Sequence, residues 1–421
     1  MEALRPWDKY TGDCIGDLAV TQTRSRGRSS SIDGFSVGSL PAITPQDPQE
    51  AAMHSEFPAQ PSYRSQREQF LAAATAAGAT LSEYPHPLKG PSGEALGTDV
   101  AVLGDPGAKR LLIALSGTHG VEGFYGSGCQ IKWLQELGKR SLPTDVAVVM
   151  IHAINPWGMA WLRRVNEDNI DLNRNHLDFD RALPDNQAYD ALHEIYACTQ
   201  LRGPERDRAD ALLDEQIRLH GWPAVMSIVE GGQHAHPDGL FYGGVAPSWS
   251  NRTLQQIMQK HVAHADVALC FDLHTGAGEY GHPMLLTITE AAYPALADAQ
   301  AIYGPWLYTL HTGADTLSET GVAATATGYT SQALLNALPQ VRLMPFVIEC
   351  GTYPGPDVHR HLRDDHWLHL HGNVHDAQGR EIKLNLLEQF YPADSDWQAM
   401  VWLRTWQIWE RALSALPAIR C

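Results

Sequence analysis

Residues 111–122 read LLIALSGTHGVE. The run Leu111–Leu115 is apolar throughout, which suits a strand buried on both faces of a sheet. It stops at Ser116-Gly117, and an imidazole (His119) and a carboxylate (Glu122) follow at three-residue spacing. In an open α/β sheet, ligands bind at the carboxyl ends of strands, so this turn places both groups where chemistry is done. Two other segments repeat the pattern. Asp272-Leu273-His274 closes the apolar run from Val267, and Glu349 closes Leu343–Ile348. Two His, one ligating Glu and a separate Glu are what a catalytic zinc site needs: three protein ligands, one open position and one base. His274 lies 155 positions after His119 (274 − 119), as expected of a site assembled from separate strands.

Around these segments the chain alternates buried strands with helices. The patterning predicts strands at Asp99–Leu103, Arg110–Leu115, Asp145–Ile154, Val267–Leu273, Met284–Ile288 and Leu343–Ile348. Helices are predicted at Gln66–Ala77, Gly126–Leu137, Arg206–Leu219, Asn251–Ala265 and Trp397–Leu416. This is an α/β three-layer architecture, a largely parallel or mixed central sheet with helices on both faces. Residues 1–52 differ: TRSRGRSSS at Thr23–Ser31 and the Gly-, Ser- and Pro-rich stretch to Gln49 predict a disordered extension, with Met53 a reasonable alternative start. Residues 53–421 are expected to form one catalytic domain.

Composition narrows the function. The 421 residues carry a formal net charge of −17, and an acidic surface repels phosphate backbones, which argues against nucleic acid as a partner. No apolar run approaches the roughly 18 residues that would cross a bilayer. The six cysteines are scattered with no CxxC pair, which together with the lack of a basic-then-apolar leader predicts a cytoplasmic protein with reduced, mostly buried thiols. No GxSxG elbow precedes a helix, so a serine-type hydrolase is disfavoured.

Further motifs stand between the first His and the second. Asn155-Pro156-Trp157-Gly158 ends a strand as a turn, Arg163-Arg164-Val165-Asn166 follows, and Asn169–Asn175 reads NIDLNRN. With these the chain resembles the carboxypeptidase A-like zinc metallopeptidases: HxxE, an NPxG-type turn, RxN, DLNRN, DxH and a strand-end Glu occur in that order over about residues 60–355. It more closely resembles a bacterial branch known as a domain of unknown function, sharing SGTHGVEGFYGSG (116–128) and an HPDGLFYGG-type segment (236–244).

The resemblance implies roles, residue by residue. His119, Glu122 and His274 would hold one Zn2+. Asp171 would orient His119. Arg164, selected over Arg163 by the RxN spacing, would polarise the scissile carbonyl, and Asn173 and Arg174 would bind the substrate's carboxylate. Glu349 would be the general base, and Tyr329, 20 positions before it (349 − 329), would close over the substrate, with Tyr353 a lesser candidate. The implied activity is hydrolysis of amide bonds in small carboxylate-bearing substrates, either short peptides or N-acyl amino acids. The alternatives are a deacylase on the same site or a non-catalytic binder of the same fold; the presence of Glu349 weighs against the latter. Glu230–Ser250 is expected to be a loop shaping the pocket. His234 and His236 there lack a carboxylate cluster at ligand spacing. The dense histidines from His359 to His375 are expected on a surface or interface segment.

Overall fold

The computed structural model describes residues 61–312 and 326–420, so the segment expected to be disordered, 1–52, lies outside the described residues. Eight strands form one mixed sheet: β1 (Thr80–Lys89), β2 (Ala95–Leu103), β3 (Arg110–Ser116), β4 (Val146–His152), β5 (Val267–Thr275), β6 (Pro283–Thr289), β7 (Leu307–His311) and β8 (Arg342–Cys350). Their spatial order is β1-β2-β4-β3-β5-β8-β6-β7. The central four, β4, β3, β5 and β8, are mutually parallel, while β2 and β6 run antiparallel to their inner neighbours.

The central strands are buried on both faces, and their side chains alternate between two cores. Leu112, Ala114, Val148, Met150, Phe271 and Phe346 point to one side. There Tyr63–Ala76, Gly123–Leu137 and Ser395–Ala415 bring Phe70, Phe124, Trp133, Trp397 and Trp409. Leu111, Ile113, Leu115, Val149, Ile151 and Ala268 point to the other, against Leu254, Ile257, Met258 and Leu334 of helices Trp249–His261 and Thr330–Ala337. Period-2 alternation onto two apolar layers is why each central strand reads as an unbroken apolar run.

The edges read differently. β1 carries Pro85 and Pro87, shows a register shift between Pro85 and Lys89, and is largely exposed. These features blunt a free edge against intermolecular pairing, and they also erase the alternating signal of a half-buried strand. After β8 the chain continues as helices Gly355–His371, Ala377–Phe390 and Ser395–Ala415, with no β domain among the described residues. The expectation of a surface segment across His359–His375 needs correcting. His359, Arg363, Asp364, Asp365 and His366 are buried in helix Gly355–His371, and only the later His369, His371 and His375 are exposed. The burial is made tolerable by ion pairs: Arg163 to Asp365 at 3.1 Å and Arg206 to Asp364 at 3.0 Å.

Candidate metal centre

All three sequence-distant pieces meet at the carboxyl end of the parallel strands. The turn after β3 is shaped by close backbone packing. Gly117 adopts φ +74°, and a Cβ added at Gly120 would lie 2.0 Å from the carbonyl carbon of Gly158. Gly158 belongs to the short helix Pro156–Ala160, whose N-terminus Asn155 caps by accepting the Gly158 N–H at 2.9 Å. The His119 turn and the Asn155–Gly158 turn are thus two halves of one contact, which explains their glycines. Gly120→Ala forces backbone apart rather than displacing a flexible side chain. It should cost at least the roughly 1–3 kcal/mol of ordinary overpacking, read as a lowered melting temperature; an unchanged transition would contradict the contact.

Glu122 begins helix Gly123–Leu137, and His274 and Glu349 are directly opposed across the β5–β8 pair. His119, Glu122 and His274 are all buried and offer ligand atoms within 4.8 Å of one another. His119 Nδ1 lies 3.0 Å from Glu122 Oε1, and His274 Nδ1 lies 3.1 Å from Glu122 Oε2 and 3.1 Å from His119 Nδ1. Each imidazole's other nitrogen faces a carboxylate. His119 Nε2 is 3.0 Å from Asp171 Oδ1. His274 Nε2 is 3.0 Å from Asp272 Oδ2, off the line of a well-directed hydrogen bond. Asp272, to which the sequence reading gave no role, is itself held by the Thr118 hydroxyl, which donates to it at 2.7 Å. Two buried nitrogens and a buried carboxylate oxygen converging on one point, with carboxylates behind both rings, are a donor set suited to a borderline divalent ion.

Charge is dense here. Asp171 caps the turn Leu172–Arg174 by accepting the Asn173 N–H at 2.9 Å, and Arg164 donates to Asp171 at 3.1 Å and to Glu122 at 2.7 Å. Burial alone would raise both carboxyls, but His119 and Arg164 outweigh it and hold Asp171 and Glu122 well below the usual range. Glu349 goes the other way. Burial and the neighbouring Glu122 charge raise it to about 7, against the opposing pull of His274, the Ala277 N–H (3.1 Å) and Arg164.

Arg163 and Arg164 lie in an irregular turn after Leu162 (φ +50°) and take different surroundings. Arg164 lines the cleft, whereas Arg163 is buried against Asp365 and Asn169. Asn173 Oδ1 accepts from the Thr330 N–H (3.1 Å) and hydroxyl (2.8 Å). Arg174 sends Nε and Nη2 to the Glu230 carbonyl and Nη1 to the Asn173 carbonyl. Of the five guanidinium N–H groups, the described residues leave one open on each terminal nitrogen. Tyr329 is buried beneath Arg174, ring centre 5.0 Å from the guanidinium carbon, and lines the same cleft; Tyr353 does not.

The cleft has a cavity volume of about 120 Å³, and its walls include Phe241 and Glu230, to which no individual role was assigned above. Phe241 lies under both Arg164 (5.3 Å) and Arg174 (5.9 Å) with φ +52°, a strained backbone for a bulky residue. The Glu230 carboxyl is raised to about 7 by burial, opposed by Arg164 and Arg174. Ile288, Val347, Val358, Leu362 and Phe390 supply an apolar side. Cys270 and Cys350 are buried free thiols, as expected.

The model of a family described as "Protein of unknown function (DUF2817)" matches residues 60–404. No curated protein matches the chain. Among solved structures, bovine thrombin-activatable fibrinolysis inhibitor in complex with tick carboxypeptidase inhibitor is 11% identical, with 83% of this chain and 98% of that one covered at a TM-score of 0.38. A metallo-carboxypeptidase from Burkholderia cenocepacia is 13% identical, covering 81% and 69% at 0.31. An aspartoacylase family protein from Mesorhizobium loti is 15% identical, covering 71% and 68% at 0.33.

Proposed function

We propose, from the premise that the chain belongs to the DUF2817 family, that it is a zinc-dependent hydrolase of amide bonds in small substrates bearing a free carboxylate. The observation that carries this reading is the buried convergence of His119, Glu122 and His274 beside an unligating carboxyl, Glu349. These three residues would hold the ion, and a bound divalent ion supplies Lewis-acid activation of water and carbonyl.

The remaining work falls to the chain's own groups. Asp171 and Asp272 fix the orientation and tautomer of the two imidazoles. Glu349 accepts the proton of the attacking water and returns it to the leaving amine. Arg164, already pointed into the cleft, stabilises negative charge developing on the carbonyl oxygen. The two uncommitted N–H groups of Arg174, with Asn173, receive the substrate carboxylate in the parallel fork that suits it. Tyr329 and Phe241 pack their rings against Arg174 here, and the apolar side takes an aliphatic or aromatic substituent. Short peptides and N-acyl amino acids both satisfy these demands, so metallocarboxypeptidase and deacylase chemistry share the site. Among the described residues no helix is long and apolar enough to cross a membrane.

The test pairs metal analysis with a mass-spectrometric screen of dipeptides and N-acyl amino acids, each alongside its C-terminal amide. The free acids should be hydrolysed and the amides poorly. Arg174→Gln should raise KM for the acids by about 10-fold or more, the loss of one charge-assisted interaction of roughly 1.5–3 kcal/mol, while leaving the amides unaffected. Equal turnover of acids and amides would remove carboxylate recognition from the proposal.

The pH profile follows from Glu349. Its pKa is raised, so below that value the carboxyl is protonated and accepts nothing; activity climbs as pH rises and the carboxylate forms. A nearby bound cation favours the carboxylate, so the acid limb of kcat/KM should lie at or below about 7. A limb well above that value would assign the base elsewhere.

A further inference from the structure

His236 sits in the Gly-rich loop 231–248, two positions before Asp238. The fold adds a second imidazole, His193, and a second carboxylate, Asp190, from another segment. Two short helices, Gln187–Asp190 and His193–Tyr196, lie against this loop. His193 and His236 stack with ring centres 3.9 Å apart. His193 Nε2 is 3.0 Å from Asp238 Oδ1, and His236 Nε2 is 2.7 Å from Asp190 Oδ1. His193, His236 and Asp238 offer ligand atoms that all lie within 4.8 Å of one another, the same closeness as at the buried centre. Unlike that centre, this cluster is open to water: side-chain exposure is 21% for His193, 25% for His236 and 53% for Asp238.

The cluster is held in place from behind. The buried His366 is 2.7 Å by Nε2 from the Asp238 carbonyl, and Asn169 Nδ2 donates to the carbonyls of Pro237 and Gly239, each at 2.9 Å. Gln233 accepts the His236 N–H at 2.7 Å and donates to its carbonyl at 2.7 Å. Such support fixes the backbone that presents His236 and Asp238, the condition for a site to bind rather than merely to exist. One divalent ion offsets the charge of two carboxylates, and imidazole with carboxylate oxygen suits Zn2+ or Ni2+ over the harder cations.

We propose that His193, His236 and Asp238, with Asp190 oriented on His236, form a second, solvent-facing site for a borderline divalent cation. An ion there ties loop 231–248 to the helices at 187–196. The same loop carries Phe241 into the cleft, and its start adjoins Glu230, so the outer ion fixes one wall of the inner site.

The experiment measures Zn2+ bound per chain by elemental analysis after equilibration at low-micromolar Zn2+, with Co2+ absorption as a second readout. Wild type should bind two ions, the double variant His193→Gln/His236→Gln one, and His119→Gln/His274→Gln one. Melting curves in chelator show that each variant is folded, and the outer pair, being partly exposed, should leave them near wild type. The proposal is overturned if the outer double variant binds as many ions as wild type. It does not depend on the inner centre: loss of one ion on changing the outer pair, with no loss on changing the inner pair, would keep this site and reject the inner one.

Discussion

Glu349→Gln should leave metal content at the wild-type level and lower kcat by about 10²–10⁴-fold, the usual span for removing a general base. The substitution keeps the side chain's shape and can still accept the Ala277 N–H, so the β8 end stays in place. It also removes a negative charge next to Glu122, and that change relieves repulsion rather than creating it. Glu349 stands outside the three-member ligand group, which is why metal content and turnover separate. The loss corresponds to about 3–5 kcal/mol of transition-state stabilisation at roughly 1.4 kcal/mol per tenfold. The variant should also lose the acid limb of the pH profile. Near-native turnover on a good substrate would remove Glu349 from the chemistry and move attention to Glu230, the other cleft carboxyl raised to about 7.

The inner centre was legible because its parts are local. HxxE, DLNRN, DxH and the strand-end Glu are short strings, each tied to the end of an apolar run, and those runs are unbroken because β3, β5 and β8 are covered on both faces. The six strands the pattern predicts, from Asp99–Leu103 to Leu343–Ile348, all form. What escaped depends on where separate segments meet. β1 and β7 are edge strands with exposed residues and no clean alternation. Glu230 and Phe241 fall within the stretch expected to shape the pocket, but that these two reach the cleft depends on where helix Trp222–Glu230 ends and on the left-handed backbone of Phe241. The histidines of helix Gly355–His371 misled because dense polar residues normally mark surface, whereas here Asp364 and Asp365 are buried with arginine partners. His236 looked solitary for the same reason: although Asp238 stands two positions on, its partner His193 and the Asp190 carboxylate lie more than 40 positions away (236 − 193 = 43, 236 − 190 = 46).

His119→Ala should abolish both metal binding at the inner centre and turnover, and the contrast with Asp171→Asn shows why. His119 is the hinge between the ligand group and the charge network: Nδ1 faces Glu122 and Nε2 faces Asp171. Removing it takes away one of three ligands and leaves Glu122 and Asp171 buried with Arg164 as their shared cation. Two ligands hold a borderline cation far more weakly than three, and activity should fall to background. Asp171→Asn keeps the imidazole but weakens its orientation and basicity, for which a 10–100-fold drop in metal affinity or activity is expected. The measurement is inner-site metal content and kcat side by side, with the outer histidines changed to glutamine so that a second ion cannot mask the loss. Full occupancy in that His119→Ala background would mean that the buried triad is a hydrogen-bonded core cluster. A loss in His119→Ala with an intermediate loss in Asp171→Asn is the order the geometry dictates, because only the first removes a donor atom from the point where the three converge.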